Sequence, residues 1–106
     1  MEVDLILLTR DRAPLLQEAL TSILEALRKA SFRARILIGV SGSSPPTLQV
    51  IELIQKQTSV PIIAHHFAQA LELGPSRQTL IDSYSEHATW LCFLDDDIVV
   101  PTEYFQ

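Results

Sequence analysis

Hydrophobic and polar residues follow two different periods along the chain, and these predict strands and helices in alternation. Four short runs are almost wholly apolar, as is typical of strands covered on both faces of a parallel sheet. These predicted strands span residues 3–8, 35–40, 60–64 and 90–94, and only Asp4 interrupts the first of them.

The segments between the strands repeat their apolar residues every three or four positions, as amphipathic helices do. The first such pattern follows Pro14 and continues to Leu27. Proline suits a first helical turn, because its missing N–H would have no partner there. The second helix is predicted over 48–56, and the third begins near Gly74 and continues through Tyr84.

This alternation of four strands and three helices is typical of right-handed β-α-β units, which build a parallel sheet. We therefore predict an α/β fold, namely a Rossmann-like parallel sheet of about four strands with flanking helices. A chain of 106 residues suffices for one domain, 1–106. Ligands of such sheets bind at the carboxyl ends of the strands, where the strand order reverses.

Charge and composition exclude several classes of partner. Eight Lys and Arg against 13 Asp and Glu give a net charge of -5, which would repel the phosphates of a nucleic acid. No apolar run approaches the ~20 residues of a membrane helix, and the acidic start of the chain is unlike a secretory signal. The single cysteine, Cys92, indicates a reducing compartment. We expect a cytoplasmic protein with no membrane segment in this chain, and membrane association of the full-length protein stays open.

Polar residues gather after three of the predicted strands. Residues 9–12 follow the first strand, 41–44 the second and 95–97 the fourth. Because the carboxyl ends of parallel strands meet at one edge of a sheet, these segments predict a ligand site at that edge. The sequence 41–44 lacks the lysine of a phosphate-binding loop, so a plain connection is favoured for it.

The acidic triplet is the strongest chemical signal in the sequence. In an extended segment Asp95 and Asp97 would point to one side and Asp96 to the other. The repulsion between two carboxylates on one face predicts a cation nearby, and Mg²⁺ or Mn²⁺ commonly binds through one or two carboxylates. A solvated acidic turn is the alternative. It is disfavoured because the strand contains Trp90 and Phe93, which are predicted to lie in the core.

Three ordered elements of the sequence follow a known motif pattern. Residues 3–12 followed by 15–20 are similar to a first strand, a Thr-aromatic-Asn-Arg loop and a first helix. Residues 73–78 are similar to a Gly-x-x-x-Arg-Asn element, and 93–97 to an Asp-x-Asp segment. Together they resemble glycosyltransferase family two. The resemblance covers the whole chain and implies a GT-A fold, of which this chain would be the amino-terminal, donor-binding portion of a larger glycosyltransferase domain.

The resemblance also implies a substrate class and site residues. The donor would be a nucleoside diphosphate sugar, with a UDP-sugar as first choice, and Mn²⁺ or Mg²⁺ would assist an inverting transfer. Asp97 would ligate the metal, and Asp95 would contact the ribose or support the metal. The family's catalytic base follows the acidic motif, so no catalytic residue is expected in 1–106. The other expected nucleotide-sugar contacts are Thr9 at the base, Arg77 near the diphosphate, and Arg10, Asp11, Ser41 and Asp96.

The chain departs from the family pattern at two of these positions. Val40 and Ser41 occupy the place at the end of the second strand where the family usually has an aspartate that pairs with the base, and Arg10 replaces an aromatic residue. These departures leave the base open, so a donor other than a UDP-sugar remains an alternative. Asp11 and Arg12 have two interpretations, an exposed ion pair that contributes little or a contact with the donor.

Two other functions remain open from the sequence. One is a non-catalytic nucleotide-binding or interaction module. The other is a metal-dependent phosphohydrolase of the Asp-x-Asp type, in which Asp95 would be the nucleophile. That chemistry normally places its acidic strand at the start of the domain, which disfavours it here.

We interpret two pairs of adjacent residues, His65–His66 and Tyr104–Phe105, as structural. His65 and His66 fall where the third strand is predicted to run into a loop, and no cysteine or further histidine stands at zinc-ligand spacing, so a polar loop role is expected. Tyr104 and Phe105 are expected to pack against later sequence in a complete protein and to be exposed in this chain.

Overall fold

A computed structural model describes residues 2–10, 12–41, 45–67, 78–79 and 90–105. The alternation of strands and helices predicted from the sequence is confirmed over these residues. The third predicted helix lies outside them except for Gln78 and Thr79. The elements are β1 (Glu2–Thr9), α1 (Ala13–Leu27), β2 (Arg33–Ser41), α2 (Pro45–Gln57), β3 (Ile62–Phe67) and β4 (Trp90–Asp95).

The four strands form one parallel sheet in the order β3-β2-β1-β4. The chain moves in one direction from β1 to β3 and then returns to place β4 on the other side of β1. The strand order therefore reverses between β1 and β4. This arrangement is the predicted α/β, Rossmann-like class. The register sets Leu8 beside Asp95 and Thr9 beside Val40, so the polar ends of β1, β2 and β4 lie at one edge.

Both helices, α1 and α2, cover the same face of the sheet. Their apolar side chains pack in one core with alternate residues of the strands. Burying a Leu or Ile side chain of this kind contributes about 1.5–3 kcal/mol. A smaller cluster of Ile6, Leu37 and Phe67 lies on the opposite face. The larger core includes Leu5, Leu7, Leu16, Leu20, Ile23, Ile36, Ile38, Ile51 and Ile54.

The polar interruption of β1 has a structural cause. Asp4 is 3% exposed and lies directly beside Arg35 of β2 in the parallel register. The two Asp4 carboxylate oxygens accept hydrogen bonds from Arg35 Nε at 3.1 Å and Nη2 at 2.8 Å. This two-pronged ion pair compensates a buried charge and fixes the pairing of β1 with β2.

The burial predicted for β4 is wrong. Trp90 is 60% exposed and Phe93 is 43% exposed, whereas Leu94 is buried in the core under the helices. Among the described strands, β4 has a neighbour only on the β1 side, so it forms an edge of the sheet. An apolar run predicts a strand, but it carries no information about how many strands flank it.

The segment after β4 packs back against α1. Val100 is buried, and its N–H donates to Ser22 Oγ at 3.1 Å. Phe105 packs edge-to-face on Phe32 with ring centroids 5.8 Å apart, so the expectation that it is exposed is wrong. Tyr104 is 48% exposed, as expected.

The third strand also differs from its prediction. β3 begins at Ile62 and runs on through His65 and His66, which are strand residues and not part of a loop. The ring of His65 lies 4.7 Å from that of Phe67. Pro61 precedes the strand, and its carbonyl accepts a hydrogen bond from Ile36 N–H at 2.9 Å. No helix in the described ranges has the length and apolar character needed to cross a bilayer.

Candidate functional site

The loop after β1 and the acidic turn after β4 meet at the carboxyl edge of the sheet. Arg12 Nη1 lies 3.4 Å from Asp96 Oδ1 and 3.5 Å from Asp97 Oδ2. The cation expected beside the acidic triplet is therefore present as a side chain of the protein itself. Sequence reasoning missed this pairing, because it considered Arg12 only with its neighbour Asp11. The signal was present in the sequence, since neighbouring parallel strands end in a basic loop and an acidic triplet.

The three aspartates have different environments. β4 ends at Asp95, and Asp96 and Asp97 lie in a turn, so the triplet is not the extended segment that the prediction assumed. Asp96 is 6% exposed, whereas Asp95 and Asp97 are exposed. A buried carboxylate is costly without a partner, and Arg12 supplies the compensating charge for Asp96.

Thr9 closes β1 on the face that the helices cover. It is 3% exposed, and its Oγ1 has no hydrogen-bond partner in the described part of the chain. The hydroxyl of Thr47, in the first turn of α2, is fully buried and also has no hydrogen-bond partner among the described residues. A buried hydroxyl without a partner costs about 1–3 kcal/mol, so each is a place where water or a ligand group would gain a hydrogen bond.

The remaining predicted contacts lie at the same edge or outside the described residues. Arg10 is exposed directly after Thr9, and Ser41 is half-buried at the end of β2. Ser41 pairs with Phe67 of β3, so it lies on the far side of β1 from the acidic turn. Asp11 and Arg77 fall outside the described residues.

The starts of the two helices offer little to a phosphate group by themselves. α2 begins with Pro45 and Pro46, which lack two of the N–H donors that a helix start normally presents. α1 has no side-chain cap at Arg12 and no acidic residue in its first turn. Because Arg12 is the N-cap residue and contacts the acidic turn, the carboxylates lie within one side chain's reach of the positive end of the α1 dipole.

The donor set fits a hard divalent cation held by few protein ligands. Asp95 and Asp97 provide exposed carboxylate oxygens, and Arg12 contacts only Oδ2 of Asp97. In the ranges described above, no group of three or more His, Cys, Asp or Glu side chains forms a metal cage. Mg²⁺ and similar ions commonly use one or two carboxylates and complete their shell with water and phosphate oxygens.

Solved structures share the fold, although the chain matches no protein-family model and no curated protein sequence. S. aureus TarS 1-349 gives a TM-score of 0.78 at 17% identity, over 97% of this chain and 29% of that chain. The mannosyltransferase PcManGT from Pyrobaculum calidifontis, in complex with GDP-Man and Mn²⁺, gives 0.80 at 16%, over 95% and 29%. S. aureus TarS 1-349 in complex with UDP gives 0.74 at 17%, over 92% and 28%.

These likenesses establish the fold. At 16% and 17% identity, the chain has the Rossmann-like architecture of a mannosyltransferase and of a protein crystallised with UDP. The predicted resemblance to the GT-A fold of glycosyltransferases is confirmed at this level. The chain spans less than a third of the length of these structures, at 29%, 29% and 28%.

Proposed function

We propose that this chain is the donor-binding part of a glycosyltransferase that transfers a sugar from a nucleoside diphosphate sugar to an acceptor. The observation that carries the proposal is the meeting of Arg12 with Asp96 and Asp97 at 3.4 and 3.5 Å, where the strand order reverses between β1 and β4. Doubly wound sheets bind their ligands at this point.

A divalent cation, Mn²⁺ or Mg²⁺, would be held by Asp97 with support from Asp95. Such a cation supplies positive charge that stabilises the diphosphate as it leaves the sugar. The exposure of both carboxylates and the presence of Mn²⁺ with GDP-Man in the mannosyltransferase neighbour support this assignment.

The nucleotide would lie across the ends of β1 and β2. Thr9 and Arg10 would contact the base, Ser41 would stand at the end of β2, and Asp11 and Arg77 would complete the donor contacts. The ligands of two neighbouring structures, UDP and GDP-Man, support a donor of the nucleoside diphosphate class. They leave open whether its base is uracil or guanine. A UDP-sugar is our first choice, and a GDP-sugar is the alternative.

The catalytic base would be supplied by residues outside this chain. Inversion at the sugar carbon requires a carboxylate that takes the proton of the acceptor hydroxyl. The exposed carboxylates of the site are assigned to the cation, and Asp96 is held by Arg12. The chain alone would therefore bind the donor without transferring the sugar.

Calorimetric titration of UDP and of GDP-mannose, each with and without Mn²⁺, tests the proposal. We expect binding that tightens with Mn²⁺ and is lost in the Asp97→Asn variant. Glu52→Gln, which removes an exposed carboxylate on α2, is the matched control and should bind like the unaltered chain. Absence of nucleotide binding by a folded sample, or equal binding by the Asp97→Asn variant, would contradict the proposal.

The two other functions give different outcomes with the same protein. A non-catalytic nucleotide-binding module would bind nucleotide but would remain without transferase activity in the full-length protein. A phosphohydrolase would release phosphate from an aryl phosphate and would lose that activity in Asp95→Asn. Such enzymes normally open their domain with the acidic strand, whereas the first strand of this chain, β1, ends in Thr9.

A further inference from the structure

Two arginines contact aspartates in the part of the chain that the structure describes, and their contacts differ in character. Arg35 grips Asp4 through two hydrogen bonds of 3.1 and 2.8 Å. Arg12 instead approaches two carboxylates through one nitrogen, at 3.4 and 3.5 Å, both longer than the 2.7–2.9 Å of a close charge-assisted bond. The side chain of Arg12 is 52% exposed, compared with 32% for Arg35. The Arg12 contacts are therefore loose and open to solvent.

We propose that Arg12 is a built-in counter-ion of the acidic turn, and that a divalent cation must compete with its guanidinium for Asp97. This inference rests on the proposed function, because it concerns the same cation. Arg12 acts as a positioning residue: it holds Asp96 and Asp97 together without the cation, and it weakens the binding of the cation alone.

The exposure of the two carboxylates explains how the competition works. The Asp96 side chain is 9% exposed, so its charge needs Arg12 at all times. The Asp97 side chain is 47% exposed, so water or an ion can reach it while Arg12 keeps its contact with Asp96. The guanidinium then remains close to the bound cation and repels it. At a separation of about 5 Å in a water-like dielectric, that repulsion corresponds to roughly a factor of ten in affinity.

The test is a titration of the full chain with Mn²⁺ alone, followed by calorimetry. We expect Arg12→Gln to bind Mn²⁺ about tenfold more tightly than the unaltered chain. Arg12→Lys keeps the charge and should bind like the unaltered chain. Arg28→Gln makes the same charge change at the other end of α1, about 24 Å away, and should have no effect. Arg28 contacts Glu25, so its removal also breaks an ion pair.

A second readout follows folding and does not depend on activity. Without metal, Arg12→Gln should lower the unfolding temperature, because Asp96 loses its compensating charge. Mn²⁺ should raise the unfolding temperature of Arg12→Gln more than that of the unaltered chain. If Arg12→Gln does not fold, the comparison is made between Asp96→Asn and the double variant Asp96→Asn with Arg12→Gln, where the buried charge is absent. The double variant should bind Mn²⁺ more tightly.

The outcomes separate the inference from the proposed function. If the unaltered chain binds Mn²⁺ and the Arg12→Gln variant binds it equally or more weakly, the role of Arg12 is overturned and the cation site stands. A lack of Mn²⁺ binding in every variant overturns both the cation site and the competition. If Arg12→Gln binds Mn²⁺ more tightly and keeps that affinity when Asp97→Asn is added, the ion lies elsewhere and the inference is also overturned.

Discussion

At the scale of single residues, charge compensation divides the four described aspartates into two groups. Asp4 and Asp96 are buried at 3% and 6% exposure, and an arginine contacts each of them. Asp95 and Asp97 are exposed. Because a buried charge needs a permanent partner, the first two carboxylates serve the structure, and the second two are the ones that we propose for the cation.

The Asp4–Arg35 pair gives a stability prediction. Arg35→Gln should lower the free energy of unfolding by about 2–4 kcal/mol, because Asp4 keeps its burial and loses its two hydrogen bonds from Arg35. This is slightly less than for a fully buried pair, since 32% of the Arg35 side chain is exposed. Urea denaturation measures the change. Arg33→Gln on the same strand is exposed and should shift the free energy by less than about 0.5 kcal/mol. Equal effects of the two substitutions would contradict the structural role of the pair.

Cys92 gives a prediction about reactivity. Burial raises the pKa of its thiol above the ordinary value, because the thiolate is poorly solvated there. The thiolate fraction at pH 8 should therefore be smaller in the folded chain than in urea, and labelling by a disulfide reagent should be slower. The same shift lowers stability as the pH rises through the raised pKa. Labelling of the folded chain as fast as that of the unfolded chain would contradict the burial of Cys92.

At the scale of elements, the sequence predicted which segments are strands and helices better than where they end. Runs of Val, Ile and Leu identify β1 and β2, because such runs fit a sheet covered on both faces. The start of β3 depends on Pro61, which has no N–H to donate and leaves the ladder to begin at Ile62. The end of β3 depends on its pairing with β2, which continues as far as Ser41. The polar sequence His65-His66 gives no sign of that pairing.

The junction between α1 and the segment after β4 gives a prediction at this scale. Ser22 Oγ donates to Ala19 O at 2.8 Å and accepts from Val100 N–H at 3.1 Å. Ser22→Ala should lower the free energy of unfolding by about 1–3 kcal/mol, because the part-buried N–H of Val100 loses its partner.

The neighbouring hydroxyl of Thr21 provides the matched control. It donates to Gln17 O at 2.8 Å on the exposed face of α1. Thr21→Ala should change the free energy of unfolding by less than about 0.5 kcal/mol. Urea denaturation of both variants checks the pair of predictions. A loss for Thr21→Ala as large as that for Ser22→Ala would show that the contact with Val100 does not anchor the segment.

At the scale of the whole molecule, the sequence predicted the edge of the sheet at which the polar segments meet but not the contacts between them. The β-α-β alternation places the ends of β1 and β4 together. The contact of Arg12 with Asp96 joins residues 84 positions apart, and it depends on β4 ending at Asp95. An alternation rule for extended chain does not foresee that turn. The chain spans less than a third of the length of the neighbouring structures. We therefore propose the complete reaction for the whole protein and not for this chain alone.

The most direct test of the central claim is to locate the bound ion by nuclear magnetic resonance. Mn²⁺ broadens the amide signals of nearby residues, so spectra of the chain with UDP and Mn²⁺ can be compared with spectra containing UDP and Mg²⁺. We expect the strongest broadening at 9–12 and 95–98, and little at Arg28. Strongest broadening at His65 and His66, or an even loss of signal across the chain, would contradict a cation and nucleotide site between β1 and β4.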